Sequence, residues 1–256
     1  MIDWHVHSTF SDGQLSVPEI LDLALERGIS SIAITDHWDP FDPSLDNRGL
    51  GDDRLCRHLS LIRKEGGKRP LEVFAGIETA TASDGLLRLN PSLVRLCDLV
   101  ITSPHYVQYA GPVVAGQYFN DGYWEAYKRL VLAQARGEGH ILGHPEGYLP
   151  LGPLLVEGTT FEERQDLRTA ISERYLDKAY YEELAAALCA SGKACELHAA
   201  SATPRPWVVE LLAHRGVCFS VGSDAHTAQA LGRNQAMLDL VQRFGLKLFT
   251  PRKAMV

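Results

Sequence analysis

Seven stretches of this 256-residue chain close on side chains that can hold a metal ion: His5 and His7, His37, Glu78, His105, His144, His198, and Asp224 with His226. Asp12 follows His7 by five residues. Imidazole and carboxylate without thiolate suit zinc, manganese or iron alike. His5 and His7 alternate, as do Asp224 and His226, and alternation is the period of a strand, so each pair shares one face. On that reading Asp3 joins the face of His5 and His7, and Ile2, Trp4 and Val6 take the other. A lone histidine at a strand end is more often a hydrogen-bonded core residue than a ligand. His5, His7, His37, His105, His144 and His226 converging without a partner would each cost ~1–3 kcal/mol. Metal binding is the simpler account.

Short β-branched runs that alternate with amphipathic helical ones must position these residues, a pattern of βα units on a parallel sheet. Strands are expected at 1–7, 30–35, 71–78, 98–103, 140–144, 194–198 and 217–226. Helices are expected at 17–28, opened by Val17-Pro18 and closed by Gly28, then at 53–64, 123–137, 173–191, 206–215 and 234–244. A loop rich in Asp, Pro and Gly follows His37. The stretch from Pro145 to Thr169 is the least regular, and a lid or substrate loop is expected at about 145–172. No repeat, low-complexity tract or linker divides the chain, so residues 1–256 read as one α/β domain. Seven βα units with short connections wind right-handed and can close into a TIM-barrel-like barrel. Chemistry in such a barrel sits at the carboxyl ends of the strands, where the clustered residues fall.

Composition narrows the function. A net charge of −7 gives no electrostatic footprint for a nucleic-acid scaffold or an anionic membrane, and leaves room for a small phosphorylated substrate. The five cysteines, Cys56, Cys97, Cys189, Cys195 and Cys218, are odd in number and form no C-x-x-C pair, so neither a disulfide framework nor a zinc ribbon is expected. No stretch approaches the ~20 apolar residues of a membrane span, and no leader-like run precedes Asp3. The expected location is cytoplasmic.

The segments HVHSTFSDG, ITDH, GIE, SPHY, GHPE and GSDAH, in that order from Asp3 to His226, closely resemble the PHP (polymerase and histidinol phosphatase) family of metal-dependent phosphoesterases. The resemblance implies a distorted (β/α)7 barrel with up to three divalent ions. By position, His5, His7, Glu78 and Asp224 would hold one ion, and Asp12, His37 and His226 a second. His105 and His144 would hold a third, with Glu78 bridging it to the first. The charges agree with that count: three divalent ions against Asp12, Glu78 and Asp224 leave about +3, suited to a hydroxide and a phosphomonoester dianion, whereas two leave about +1. The implied reaction is hydrolysis of a small phosphomonoester, histidinol-phosphate-like or nucleotide-like, by water whose pKa the ions depress to ~7.

Around this set, Asp3 and Asp36 are read as carboxylates that orient imidazoles, with a buried carboxylate paired elsewhere as the alternative for Asp3. His198 is a ligand, a substrate contact, a general acid or a hydrogen-bond donor behind the ligands. Arg205, in HAASATPRP, fits a bidentate phosphate contact or a solvated helix start, and Arg233 is a weaker candidate of the same kind. His58 and His214, on helical segments, are read as hydrogen-bonded or exposed, and His140 as lying at the opposite mouth. The rival enzyme is an amidohydrolase, whose bridging lysine would need a strand end; Lys193 instead starts a strand. A metal-binding PHP protein without turnover is the non-enzymatic alternative, and a polymerase-type proofreading nuclease a third reading.

Overall fold

Buried, β-branched runs form the strands, as a parallel sheet covered on both faces requires. In the computed structural model, which describes residues 1–40 and 51–254, these are β1 (Ile2–Asp3), β2 (Ser31–Ile34), β3 (Glu72–Thr79), β4 (Leu99–Thr102), β5 (Ile141–Leu142), β6 (Ala194–His198) and β7 (Phe219–Gly222). They pair in sequence order and every pair is parallel. Beyond β1 the chain bonds back to β7 and its extension: Trp4 N donates to Val221 O at 2.9 Å, His7 N to Ala225 O at 3.0 Å, and Val6 bridges Ala225. The sheet is thereby curled into a nearly closed, distorted seven-stranded barrel of the TIM type.

Eight helices are found among the described residues: α1 (Val17–Glu26), α2 (Gly51–Gly66), α3 (Pro91–Leu96), α4 (Asp121–Arg136), α5 (Phe161–Tyr175), α6 (Lys178–Ser191), α7 (Pro206–His214) and α8 (Gln235–Phe244). Residues 41–50, within the expected Asp/Pro/Gly loop, lie outside the described residues. One apolar cluster packs α1 and α2 on the outside of β2 and β3 through Ile20, Leu21, Ile32, Leu59 and Ile77. A larger one packs α4, α6 and α7 against β5 to β7 through Trp124, Tyr127, Leu184, Val209 and Val221. A third, of Trp4, Ala33, Phe74, Leu99, Ile101, Ile141 and Ala194, lies beneath the residues that converge at the mouth.

Three departures from the sequence expectation have physical causes. The helix expected over 173–191 is two helices, because Asp177 accepts from Tyr180 N at 2.9 Å and starts α6 afresh. The stretch read as irregular holds most of α5, opened by a capping box in which Thr160 Oγ1 accepts from Glu163 N and Glu163 accepts from Thr160 N. Asn90 caps α3 by accepting from Ser92 N, with Pro91 at the first helical position. The strand ladders also end early. At His144 (φ 25°) and Asp224 (φ 54°) the backbone leaves extended geometry for the left-handed side, sparsely populated by non-glycine residues. Both residues belong to the cluster described next, where such strain concentrates.

Candidate metal centre

Glu78, at the end of β3, is the hub. Its Oε2 lies 3.3 Å from His5 Nε2, 3.5 Å from His7 Nε2 and 3.1 Å from His37 Nδ1. Its Oε1 lies 2.9 Å from His144 Nε2 and 3.3 Å from His105 Nε2, and also accepts from Ser103 Oγ. One carboxylate therefore turns one oxygen to each of two sets of imidazoles. Asp224 Oδ1 adds a second anion, 3.4 Å from His5 Nε2 and 3.1 Å from His7 Nε2. Towards solvent, Asp12 Oδ1 stands 3.2 Å from His226 Nε2, and Asp12 Oδ2 stands 3.7 Å from His37 Nε2.

Among the described residues three groups place donor atoms within 4.8 Å of one another: His5, His7, Glu78 and Asp224; His7, Asp12, His37 and His226; and His37, Glu78 and His105. The first is the set implied by the resemblance. The second contains the implied set and adds His7. The third brings His37 to Glu78 and His105 without His144, although His144 reaches the same Glu78 oxygen. Since a neutral imidazole has one lone pair, His7 and His37 can each serve only one ion at a time.

The donor set fits cations. His5 Nε2, both ring nitrogens of His7 and Asp224 Oδ1 are buried without a hydrogen-bond partner, although each faces groups of opposite charge preference. Buried polar atoms are nearly always satisfied, and an ion would satisfy His5 Nε2, Asp224 Oδ1 and one ring nitrogen of His7 together. The carboxylates are ionised, as ligands must be. Burial opposes the charge on Glu78, but His5, His105 and His37 outweigh it and hold its carboxyl well below the ordinary range. Asp224 is likewise lowered, burial being overcome by His5, His198 and His7. His5 is burdened by burial yet pushed well above its ordinary value by Glu196, Glu78 and Asp224. Burial takes His37 down to about 4. His105, despite burial, rises to about 10 beside Glu78 and Asp39.

Behind the clustered side chains stands a layer that the sequence reading largely missed. Glu196, on β6, accepts from His5 Nδ1 at 2.7 Å and from His144 N at 2.8 Å. Gly222 makes room for it, since a Cβ there would lie 2.3 Å from Glu196 Oε1 and 2.5 Å from His5 Cβ. The signal was an inward position two residues before His198 in ACELH. Asp39 lies 3.6 Å from His105 Nδ1. His198 donates from Nε2 to Asp224 Oδ2 at 3.0 Å and pairs through Nδ1 with Ser201 Oγ at 2.6 Å.

The two carboxylates expected to orient the clustered imidazoles do other work. Asp3 does not share the face of His5 and His7: it accepts from Ser223 N and Oγ and from Gly232 N, while Trp4 packs beneath the mouth. The ladder of β1 ends at Asp3, so strict alternation does not extend to His5. Asp36 accepts from Ser8 N, Ser8 Oγ, Ser11 Oγ and His58 Nε2. Burial is outweighed there by His58, and the carboxyl falls to about 2. Among the side histidines, His58 is buried and hydrogen-bonded, His214 is exposed, and His140 accepts from Val100 N where β5 begins.

Arg205 is clamped. Its Nε pairs with Glu146, and its Nη2 donates to Ser172 O and Leu176 O at the end of α5. Arg233 is exposed. Tyr148, from the loop after β5, sets its ring 4.9 Å from that of His198, and the Arg168 guanidinium lies 5.0 Å from the Tyr148 centroid. A cleft of about 190 Å³ runs beside them, lined in part by Arg168, Thr169, Ser201, Thr203 and Arg205. A larger hollow of about 540 Å³ beside Tyr118 and Val156 contains none of the clustered groups. Lys193, the residue a bridging-lysine hydrolase would need, donates to Thr102 Oγ1 and Gln134 O, away from the cluster.

A parallel barrel with this mouth defines a TIM-like barrel protein equipped to hold divalent metals. A family model for the PHP domain matches residues 3–200, and the chain belongs to that family. It is 25% identical over 242 residues to a probable histidinol-phosphatase of Thermotoga maritima, a match covering 91% of this chain and 87% of the relative. It is 28% identical over 148 residues to the DNA polymerase/3'-5' exonuclease PolX of Bacillus subtilis; that match covers 57% of this chain and only 24% of the relative. The crystal structure of histidinol phosphate phosphatase from Lactococcus lactis, complexed with zinc, L-histidinol and phosphate, superposes with a TM-score of 0.69 at 18% identity, covering 99% of this chain and 97% of that one. At that identity the likeness carries the fold. The chain is thus histidinol-phosphatase-like along most of its length. No helix among the described residues is long and apolar enough to cross a membrane.

Proposed function

We propose that this protein hydrolyses a small phosphomonoester, of the histidinol-phosphate or nucleotide-monophosphate kind, at a centre of up to three divalent ions. The observation that carries this reading is the divided Glu78 carboxylate, with an oxygen on each side of the cluster. His5, His7, Glu78 and Asp224 form the inner site, and Asp12, His37 and His226 the outer one. His105 and His144 share the far oxygen of Glu78 at the third. Zinc, manganese and iron all suit these ligands. When bound, such ions supply positive charge for the phosphoryl oxygens and acidify water at neutral pH.

The chain's own residues do the rest. Glu196 fixes the His5 ring, and His198 fixes Asp224, so both ligands arrive preoriented. The strap of residues 145–172 contributes Tyr148 and Arg168 to the rim, where they meet the alcohol portion of the ester and act as a lid. Arg205, pairing with Glu146 and donating to Ser172 O, ties the two ends of that strap together rather than reaching for phosphate. Arg168, whose Nε has no partner, is the cation left for an anion in the cleft.

The test is phosphate release by protein loaded in turn with zinc, manganese and iron. The panel is histidinol phosphate, nucleoside monophosphates, nucleoside bisphosphates and a phosphodiester. One preferred monoester is expected. Preference for the diester would move the assignment to a nuclease, and silence with metals bound would leave a binding protein.

A further inference from the structure

We propose that His58, on α2, is a positioning residue for the outer metal site, acting through Asp36; the inference rests on the metal-centre reading above. Asp36 is buried and accepts four hydrogen bonds: from Ser8 N at 2.6 Å, Ser8 Oγ at 2.8 Å, Ser11 Oγ at 2.7 Å and His58 Nε2 at 2.7 Å. The next residue in the chain after Ser11 is Asp12, and the next after Asp36 is His37. One carboxylate thus ties together the turn that carries one outer ligand and the strand end that carries another.

The tie continues into α2. The Phe10 ring stacks on the His58 ring with centroids 3.8 Å apart and planes 9° apart. Arg54, one turn earlier on α2, lies 4.5 Å from the Phe10 centroid and donates to Phe10 O at 3.2 Å. Phe10 N in turn donates to Ser8 Oγ at 3.1 Å. So residues 8, 10 and 11 are held against α2 and Asp36. Gly13 closes the turn where no Cβ fits, since one would lie 2.3 Å from His7 O. Beyond it, Gln14 N donates to His226 O at 2.8 Å. The turn is fixed on both flanks, with Asp12 projecting between.

The inner site has separate supports. Glu196 holds His5, Ser103 holds Glu78, and His198 holds Asp224, and none of these three supports lies on α2. Removing His58 leaves a buried carboxylate short of its strongest neighbour and frees the Phe10 stack, so the turn loses its anchor. Loss of a group that orients a ligand typically weakens metal binding about 10–100-fold, and here the loss falls on one site.

The experiment is metal affinity and stoichiometry of the full chain, measured by competition with a chromophoric chelator using zinc alone or manganese alone. Wild type, His58→Ala, His58→Gln and Ser11→Ala are compared, with thermal unfolding of each in the metal-free form. His58→Ala is expected to weaken the outermost ion about 10–100-fold and leave the tighter ions within about threefold. Glutamine keeps an N–H for Asp36, so His58→Gln should restore most of the affinity. Ser11→Ala removes only the bond beside Asp12 and should weaken the same ion a few-fold, which keeps the test decisive if His58→Ala does not fold. Unchanged outer affinity in His58→Ala, or in a folded Ser11→Ala if the former is lost, overturns the proposal. So does an equal loss of all ions, which would mark His58 as a general fold support. A wild type that binds no ion overturns the metal-centre reading itself and takes this one with it.

Discussion

The inner and outer halves of the cluster use the same ligand types and are built on different principles. The side chains of His5, His7, Glu78 and Asp224 are at most 4% exposed. They come from strand ends or their immediate extensions, and His5, Glu78 and Asp224 each have a buried hydrogen-bonding neighbour behind them. In the outer group the Asp12 side chain is 47% exposed, His226 32% and His37 14%. Its only carboxylate rides on a turn. Attraction between a cation and a carboxylate strengthens as water is excluded, so the inner site should grip and the outer one exchange. A phosphoryl group arriving from solvent meets the outer ligands first.

The largest effect separating the halves is expected at Glu78. Glu78→Ala should lose two ions together, because one carboxylate serves both sides. Loss of a single preorganised charge-stabilising group costs ~10²–10³ in rate, so phosphatase activity should fall at least about a thousandfold. Metal analysis of the purified variant checks this, and full metal content would break the bridging assignment. Next comes Asp12→Asn. It should lose the outer ion alone, reduce kcat/KM about 10–100-fold, and recover partly at high added metal. If it lost the inner ions too, the two halves would be one cooperative unit. A smaller effect is kinetic. Stepwise chelation of the wild type should remove one ion well before the others, and Glu196→Gln, which loosens His5, should narrow that gap.

How far the sequence reached depends on what each feature needs. The clustering of side chains from the strand ends was legible because imidazoles and carboxylates have few other reasons to recur at the close of every β-branched run. Glu196 escaped notice because it sits inside ACELH as an ordinary strand residue, and only barrel closure brings it to His5. Asp36 shows the limit differently. Its place beside His37 suggested an imidazole partner, and it has one, but the ring belongs to His58 on α2, 22 residues on. Arg205 looked available to phosphate because Glu146, its partner, comes from another loop. The break at Asp177 and the start of α5 at Thr160 were written locally, in an N-cap and a capping box within a stretch whose apolar spacing is weak. Local signals and strand ends read well; partners supplied by closure do not.

The smallest expected change is a single proton, read as the pH dependence of the outer ion. In the metal-free protein burial works against a charged His226, but the hydrogen bond to Asp12 and the charges of Asp224 and Asp12 outweigh it and raise its pKa to about 9. A proton on a group raised from 6.5 stabilises the metal-free fold fully below about pH 6.5, and that contribution fades as pH climbs through about 9. A metal needs the neutral ring, so the sign reverses for binding. Below about pH 9 the outer ion must displace this proton, and its apparent affinity should rise by up to about tenfold per pH unit, then level off. Calorimetry of the last ion in two buffers of different ionisation enthalpy should therefore report close to one proton released at pH 7.5. Asp12→Asn, read at high added metal where the outer ion returns, retains an oxygen but not the charge and should bring the plateau down towards pH 6.5. A plateau that stayed near pH 9 in that variant would mean that Asp224 alone sets the proton on His226, and the outer half would then be tied to the inner through a shared anion.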